Sequence, residues 1–252
     1  MRVKKLTVNE MIFSIICLTI IFFIGQGILR IIPLIIIILF GDITLNNDME
    51  IERNKKFIYA FILVFILYMS IQGYYDYINI SNRIGDSLFK GLLINLPVTM
   101  TIFTAYFFGV RIKDFNWKLS LSSLPLVLLV WLSIEIIPFM EYMRSSSITD
   151  FISNIIINVP FKIYYPSIVE EMIFRGLCFS GLLTIGLGED KSNIIQAVVF
   201  GLIHILNYDQ FSINIILLIV PQIYIGFLIG KIYINTKSLT PCIFLHSLID
   251  SI

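Results

Sequence analysis

The chain has 252 residues, 58% of them hydrophobic and 14% charged, with a formal net charge of +1. Soluble domains carry about 25% charged residues and nucleic-acid binders need a basic face, so composition points away from both classes. Three cysteines, Cys17, Cys178 and Cys242, are too few and too scattered for a disulfide or zinc framework.

Taken in chain order, the apolar runs approach or exceed the roughly 20 residues that a helix needs to cross a bilayer. They predict spans near 11–40, 57–80, 88–110, 119–140, 161–185, 193–207, 212–231 and 239–252, with an interfacial helix over 148–159 ahead of Pro160. Backbone groups in lipid must be bonded internally, so the expected fold is all-α, a polytopic transmembrane helical bundle of about 7–8 spans. Arg2, Lys4 and Lys5 precede the first run. That run is too long for a signal peptide and no small-residue cleavage site follows it, so it reads as a retained anchor with a cytoplasmic N-terminus. Arg30 and Pro33 interrupt it. If it is nevertheless one helix, Arg53, Lys55, Lys56, Arg111, Lys113 and Lys118 fall outside. If it breaks around Gly25–Pro33 and re-enters, those residues join Lys231 and Lys237 on the cytoplasmic side.

No internal repeat or flexible linker divides the chain. The expected organisation is a single integrated membrane domain, with 1–150 as scaffold helices and 151–252 as the part that places charge inside spans. An integral protein of the cell membrane follows from that reading.

Charge at bilayer depth is costly, about 2.5–3.5 kcal/mol per side chain, and so marks function. The run Ser167-Ile-Val-Glu170-Glu171-Met-Ile-Phe-Arg175 concentrates three charges. Glu171 and Arg175 are four apart on a helix and can pair, while Glu170 points about 100° away without a local partner. An unpaired carboxylate in a low-dielectric site suits a general acid or base. The plainer alternative is a capping box, Ser167-x-x-Glu170, at a helix start after Pro166.

Two further segments hold the chain's two histidines. In Phe200-Gly201-Leu-Ile-His204, followed by Asn207 and Tyr208, helical spacing puts His204, Asn207 and Tyr208 on one face, and Gly201 permits close helix approach. In His246-Ser-Leu-Ile-Asp250 a carboxylate lies four residues from an imidazole and could hold its tautomer, or both could face a common ligand. Each feature alone has a bland explanation, a core histidine or a polar helix end. One shared, water-accessible cavity accounts for all three together. No zinc-protease, phosphate-loop or nucleophile-elbow motif is present. Cys178 shares the face of Glu171 but has no adjacent base, so a thiol nucleophile ranks below the carboxylates.

Glu170-Glu171-x-x-x-Arg175, Phe200-x-x-x-His204 and His246-x-x-x-Asp250 together resemble the three motifs of the CAAX-protease and bacteriocin-processing (CPBP) intramembrane proteases, which are related to the type II CAAX prenyl endopeptidase. The resemblance spans about 161–252. It implies that Glu170 and His204 activate a water, and that His246 with Asp250 stabilises an oxyanion or helps hold a metal. Glu171 and Arg175 would form the supporting ion pair, with Asn207 in a further structural role. The last motif position is often asparagine in the family and is Asp250 here, and an ionised aspartate cannot donate a hydrogen bond. Glu170, His204, His246 and Asp250 form an acceptable O/N set for zinc, and equally a metal-free base with an oxyanion hole. No cofactor or a divalent metal such as zinc is therefore expected, with the metal-free form preferred.

The expected function is an intramembrane endopeptidase acting on a peptide or membrane-anchored protein, with lipid as surroundings and no nucleic-acid partner. The alternative is a non-catalytic bacteriocin-type immunity or peptide-binding membrane protein. A proton- or ion-coupled carrier is disfavoured by the lack of inverted repeats.

Overall fold

A computed structural model describes residues 6–25, 27–41, 54–80, 87–118, 121–208 and 213–252, except the side chains of 28, 72, 74–80, 87–94, 207 and 213. The described residues are helical or in turns, with no strand among them. The α-helices are α1 (Val8–Phe23), α2 (Ile32–Phe40), α3 (Lys56–Ile80), α4 (Ser87–Phe107), α5 (Leu124–Tyr142) and α6 (Ile148–Lys162), then α7 (Ile168–Glu171), α8 (Ser180–Thr184), α9 (Glu189–Ile203), α10 (Ile213–Leu218), α11 (Val220–Thr236) and α12 (Leu239–Ile249). The expected all-α class is the observed one.

The first apolar run is not one helix. α1 starts at a capping box between Thr7 and Glu10 and ends before Gly25 and Gly27, whose φ of +84° and +81° lie in the left-handed region glycine adopts without a Cβ penalty. Pro33 then sits in the first turn of α2, where its missing N–H is harmless. The break lies where the second expectation put it, and the two pieces pack differently. α1 lies on α9 and α11, and α2 lies on α5. Arg2, Lys4, Lys5 and Arg53 lie outside the described residues.

Lys231 corrects the sequence reading. It is no flanking loop cation, because α11 runs on to Thr236 and the Lys231 ammonium is buried 2.8 Å from Glu10 of α1. A buried charge needs such a partner. A surface contact joins the same region, as the Asn9 amide donates to Asp190 at 2.9 Å, tying α1 to the start of α9.

α9 and α11 form the closest pair. At Gly201 an added Cβ would meet backbone, 2.8 Å from Ile223 N and 3.0 Å from its Cα, so the two helices approach through that glycine as expected. On α3, by contrast, a Cβ at Gly73 would meet nothing within 4 Å. Gly→Ala in a helix gains up to about 1 kcal/mol in propensity, whereas overpacking costs about 1–3 kcal/mol. Gly201→Ala is therefore expected to lower the thermal midpoint in detergent, and Gly73→Ala to hold or raise it. Equal shifts in the two variants would contradict the close approach.

Among the described residues, two helical stretches are long and apolar enough to cross a membrane, Leu121–Tyr142 and Asn214–Thr236. Val8–Phe23, Leu29–Phe40, Lys56–Ile71 and Leu239–Ile249 are apolar but shorter. The helix expected to stop before Pro160 runs through it to Lys162, and opens at a capping box between Ser147 and Asp150. Ile148, Ile152 and Ile156, spaced by four, stand exposed along it.

Candidate active site

The chain kinks at Tyr165, whose φ and ψ of −152° and 128° are extended, and is helical from there through Thr184. Pro166 thus stands where the helix begins, but Ser167 forms no side-chain cap, and its hydroxyl is buried without a partner. The capping-box alternative for Glu170 is not what the structure contains. Over Met172–Phe179 the helix widens into π turns, and all eight residues are buried. Such bulges recur at functional sites because they re-aim side chains from an otherwise regular helix.

Glu170 and Glu171 are both buried and face different partners. Tyr68 of α3 donates its hydroxyl to Glu170 Oε1 at 2.7 Å, and Glu170 Oε2 faces His246 Nε2 at 3.7 Å. Glu171 Oε1 accepts from Arg175 Nη1 at 2.9 Å, the expected four-residue pair, and lies 2.7 Å from His246 Nδ1. Arg175, fully buried, also donates from Nη2 to the Gly226 carbonyl of α11 at 2.8 Å and lies over the Phe200 ring, 4.8 Å from its centroid. One carboxylate oxygen therefore links the first motif to the third.

His246 sits on α12 with both ring nitrogens addressed. Because a carboxylate accepts, Nδ1 carries the proton toward Glu171, leaving Nε2 to face Glu170 Oε2 and Asp250 Oδ2, each 3.7 Å away. Those distances exceed a direct hydrogen bond and suit a shared water or substrate oxygen. The tautomer is held by Glu171, and Asp250 stands at the opposite nitrogen instead.

His204 begins a 3₁₀ turn, His204–Asn207, where α9 ends at Ile203. Its Nδ1 lies 3.0 Å from the Phe200 carbonyl, which only accepts, so Nε2 is left free to accept a proton. His204 acts electrostatically on Glu170, as do His246 and Asp250. The tightened turn changes the expected face. Tyr208 is extended, with φ −118° and ψ 131°, and leaves the helix on which it was placed with His204. The Asn207 side chain lies outside the described residues.

Phe200 is the hub of the site. Its ring stands 5.1 Å from that of His204, 5.7 Å from that of His246 and 5.2 Å from that of Phe174. Gly226 makes room for it, since a Cβ there would lie 2.8 Å from the Phe200 ring. Gln196 donates to the same Gly226 carbonyl that Arg175 uses, at 3.1 Å, and to Asn193 Oδ1 at 2.8 Å. Cys178 is buried on the π segment.

Among the described residues no group of three His, Cys, Asp or Glu side chains is arranged to hold an ion.

Three contributors were missed by the sequence reading: Tyr68, the Gly226 carbonyl and Gln196. Tyr68 lies 102 positions from Glu170 in the chain, inside an ordinary apolar run, so no local pattern marks it.

Comparison with known proteins bears on this segment. No curated protein and no solved structure matches the chain. Residues 152–252 match the family model described as type II CAAX prenyl endopeptidase Rce1-like. The matched segment, about two fifths of the chain, contains all three polar motifs.

Proposed function

We propose that the protein is an intramembrane endopeptidase that uses Glu170 and His204 to activate a water against a peptide carbonyl. The observation that carries this reading is the meeting of three separate helices on one pair of acids. Glu170 and Glu171 both lie against His246, and His204 reaches Glu170 electrostatically from α9. The matched family suggests CAAX-type protease activity, and the geometry supplies a way to perform it.

In this mechanism the Glu170 carboxylate, steadied by the Tyr68 hydroxyl, takes a proton from the attacking water. The free Nε2 of His204 helps orient that water. His246, with Glu171 behind its Nδ1, presents Nε2 to the developing oxyanion and donates to it when protonated. Asp250 Oδ2, 3.7 Å from Nε2, adds negative charge beside that imidazole. Arg175 holds Glu171 in line, so that the acid serves His246 and does not compete for the substrate.

The membrane setting rests on two observations. Two helices are long enough to span, and large apolar side chains such as Ile16, Phe23, Phe103, Phe107, Leu132 and Phe161 stand exposed on the outside. The shorter apolar helices complete the transmembrane bundle in this reading, with 1–150 as scaffold and 151–252 carrying the cutting residues.

Terminal-peptide proteomics on host membranes expressing wild-type protein or Glu170→Ala at matched levels tests the proposal. New peptide termini found only with the wild type are the expected result. Identical termini from two inserted, folded proteins would reject cleavage and favour a peptide-binding or immunity protein built on the same cavity.

A further inference from the structure

The helix ends sort the charged side chains into two groups. Asn9 and Asp190 join the start of α1 to the start of α9, and Lys231 on Glu10 brings the last turns of α11 there. After the break at Gly25–Pro33, α2 returns to the same end, where a Cβ on Gly41 would lie 3.1 Å from Asn235 Cγ of α11. The Ser238 hydroxyl, in the turn from α11 to α12, donates to the Lys118 carbonyl at 2.7 Å. Lys56 at the start of α3 pairs with Asp114 of the segment before α5 at 2.6 Å. This end of the bundle gathers Lys55, Arg111, Lys113, Lys118, Lys191 and Lys237, all exposed or half-buried. At the other end Asn154 donates to the Tyr142 hydroxyl at 2.9 Å, and Asn158 to the Ser251 carbonyl at 3.4 Å. The close of α5 therefore lies with α6 and the close of α12. The described cations toward that end are Arg30, Arg144 and Lys162, set among Glu141, Asp150 and Asp250.

The site opens toward that second end. α9 and α12 both start at the basic end, and at 1.5 Å per residue His204 lies about 22 Å along the first and Asp250 about 16 Å along the second. The side chains of Glu170 and His246 are only 8% and 5% exposed, whereas that of Asp250 is 28% exposed and His204 is half-buried. Water and substrate therefore reach the acids past the closes of α9 and α12. We propose that the basic end lies in the cytoplasm, and that the site takes its substrate from the opposite face of the cell membrane. Lysine and arginine beside helix ends are retained on the cytoplasmic side, where anionic lipid headgroups attract them, and acidic residues count little in that bias. The substrate class that follows is a peptide, or a segment of a membrane protein, exposed on the outer face, and not a cytoplasmic tail. This deepens the proteolytic and membrane reading above and rests on it for the substrate, though not for its first test.

Cys17, Cys178 and Cys242 are all buried, so the native thiols give little background to a membrane-impermeant maleimide. Ser122 and Ser145 are exposed, uncharged, and stand at the two ends of the apolar stretch Leu121–Tyr142. Ser122→Cys and Ser145→Cys in the full chain therefore report the two faces without disturbing the charge bias. In intact spheroplasts of a bacterial host, Ser145→Cys is expected to label to the level it reaches after denaturation. Ser122→Cys is expected to label only once the membrane is permeabilised. Labelling is read on protein recovered from washed membranes, so chains that fail to insert do not contribute. The reverse pattern would overturn the proposal, as would labelling of both variants, or of neither, in intact spheroplasts. No substrate is needed, so the topology stands or falls apart from the cleavage assay. Where cleavage is found, the new termini are expected in outward-facing segments, and termini confined to cytoplasmic segments would overturn the proposal.

Discussion

Glu170→Gln is expected to slow peptide cleavage roughly 100- to 10,000-fold, the range that general-base groups contribute, with the protein still folded and inserted. The substitution keeps the shape of the side chain and its acceptor toward the Tyr68 hydroxyl, 2.7 Å from Oε1 in the wild type. What it removes is the ability to take a proton. Tyr68→Phe tests the same site more gently. It deletes one hydrogen bond to a charged group, and the expected loss is roughly tenfold. Single-turnover cleavage of a substrate found by terminal proteomics measures both. The ordering matters as much as the size, because a support residue should cost less than the base it supports. If Glu170→Gln turns over at the wild-type rate, the carboxylate is not the base. Metal enters as a separate measurement: an equimolar tightly bound ion in active protein, lost together with activity on chelation, would replace the metal-free mechanism.

The parts of this site that obey helical periodicity were legible in the amino-acid sequence. Glu171 and Arg175 pair because four residues is one turn, and Gly201 allows close packing because it lacks a Cβ. The break after α1 was legible as an alternative, around Gly25–Pro33. What periodicity could not show are the contacts made across the bundle. Glu171 is shared between Arg175 and a histidine 75 positions away, and nothing in either motif says that His246 Nδ1 takes Glu171 in preference to Asp250. The regular helix assumed for 193–207 also misplaced Tyr208, because α9 tightens into a 3₁₀ turn at His204. Tyr68 was invisible for a third reason. It is one of 12 tyrosines in the chain, and only its position opposite Glu170 distinguishes it.

Arg175→Met is expected to destabilise the fold by about 3–5 kcal/mol, the usual result of removing one partner from a buried ion pair. Arg175 and Glu171 are each fully buried, so water cannot replace the lost contact. The guanidinium bonds Glu171 and the Gly226 carbonyl at once and lies over Phe200, which joins the π segment to α9 and α11. Lysine is a point charge without that planar fork, so Arg175→Lys should restore only part of the loss. The informative variant is the double one. Replacing Glu171 by Gln together with Arg175→Met removes the orphaned carboxylate, and the pair is expected to be more stable than Arg175→Met alone. It should nevertheless be inactive, since His246 then lacks the carboxylate at Nδ1. Thermal unfolding in detergent, followed by the fraction that stays monodisperse, reads the stabilities, and the cleavage assay reads the activity. A double variant no more stable than the single would mean that Arg175 acts on Gly226 and Phe200 and not on the acid. Recovery of stability without recovery of activity would separate the two tasks of Glu171, neutralising a buried cation and holding the imidazole.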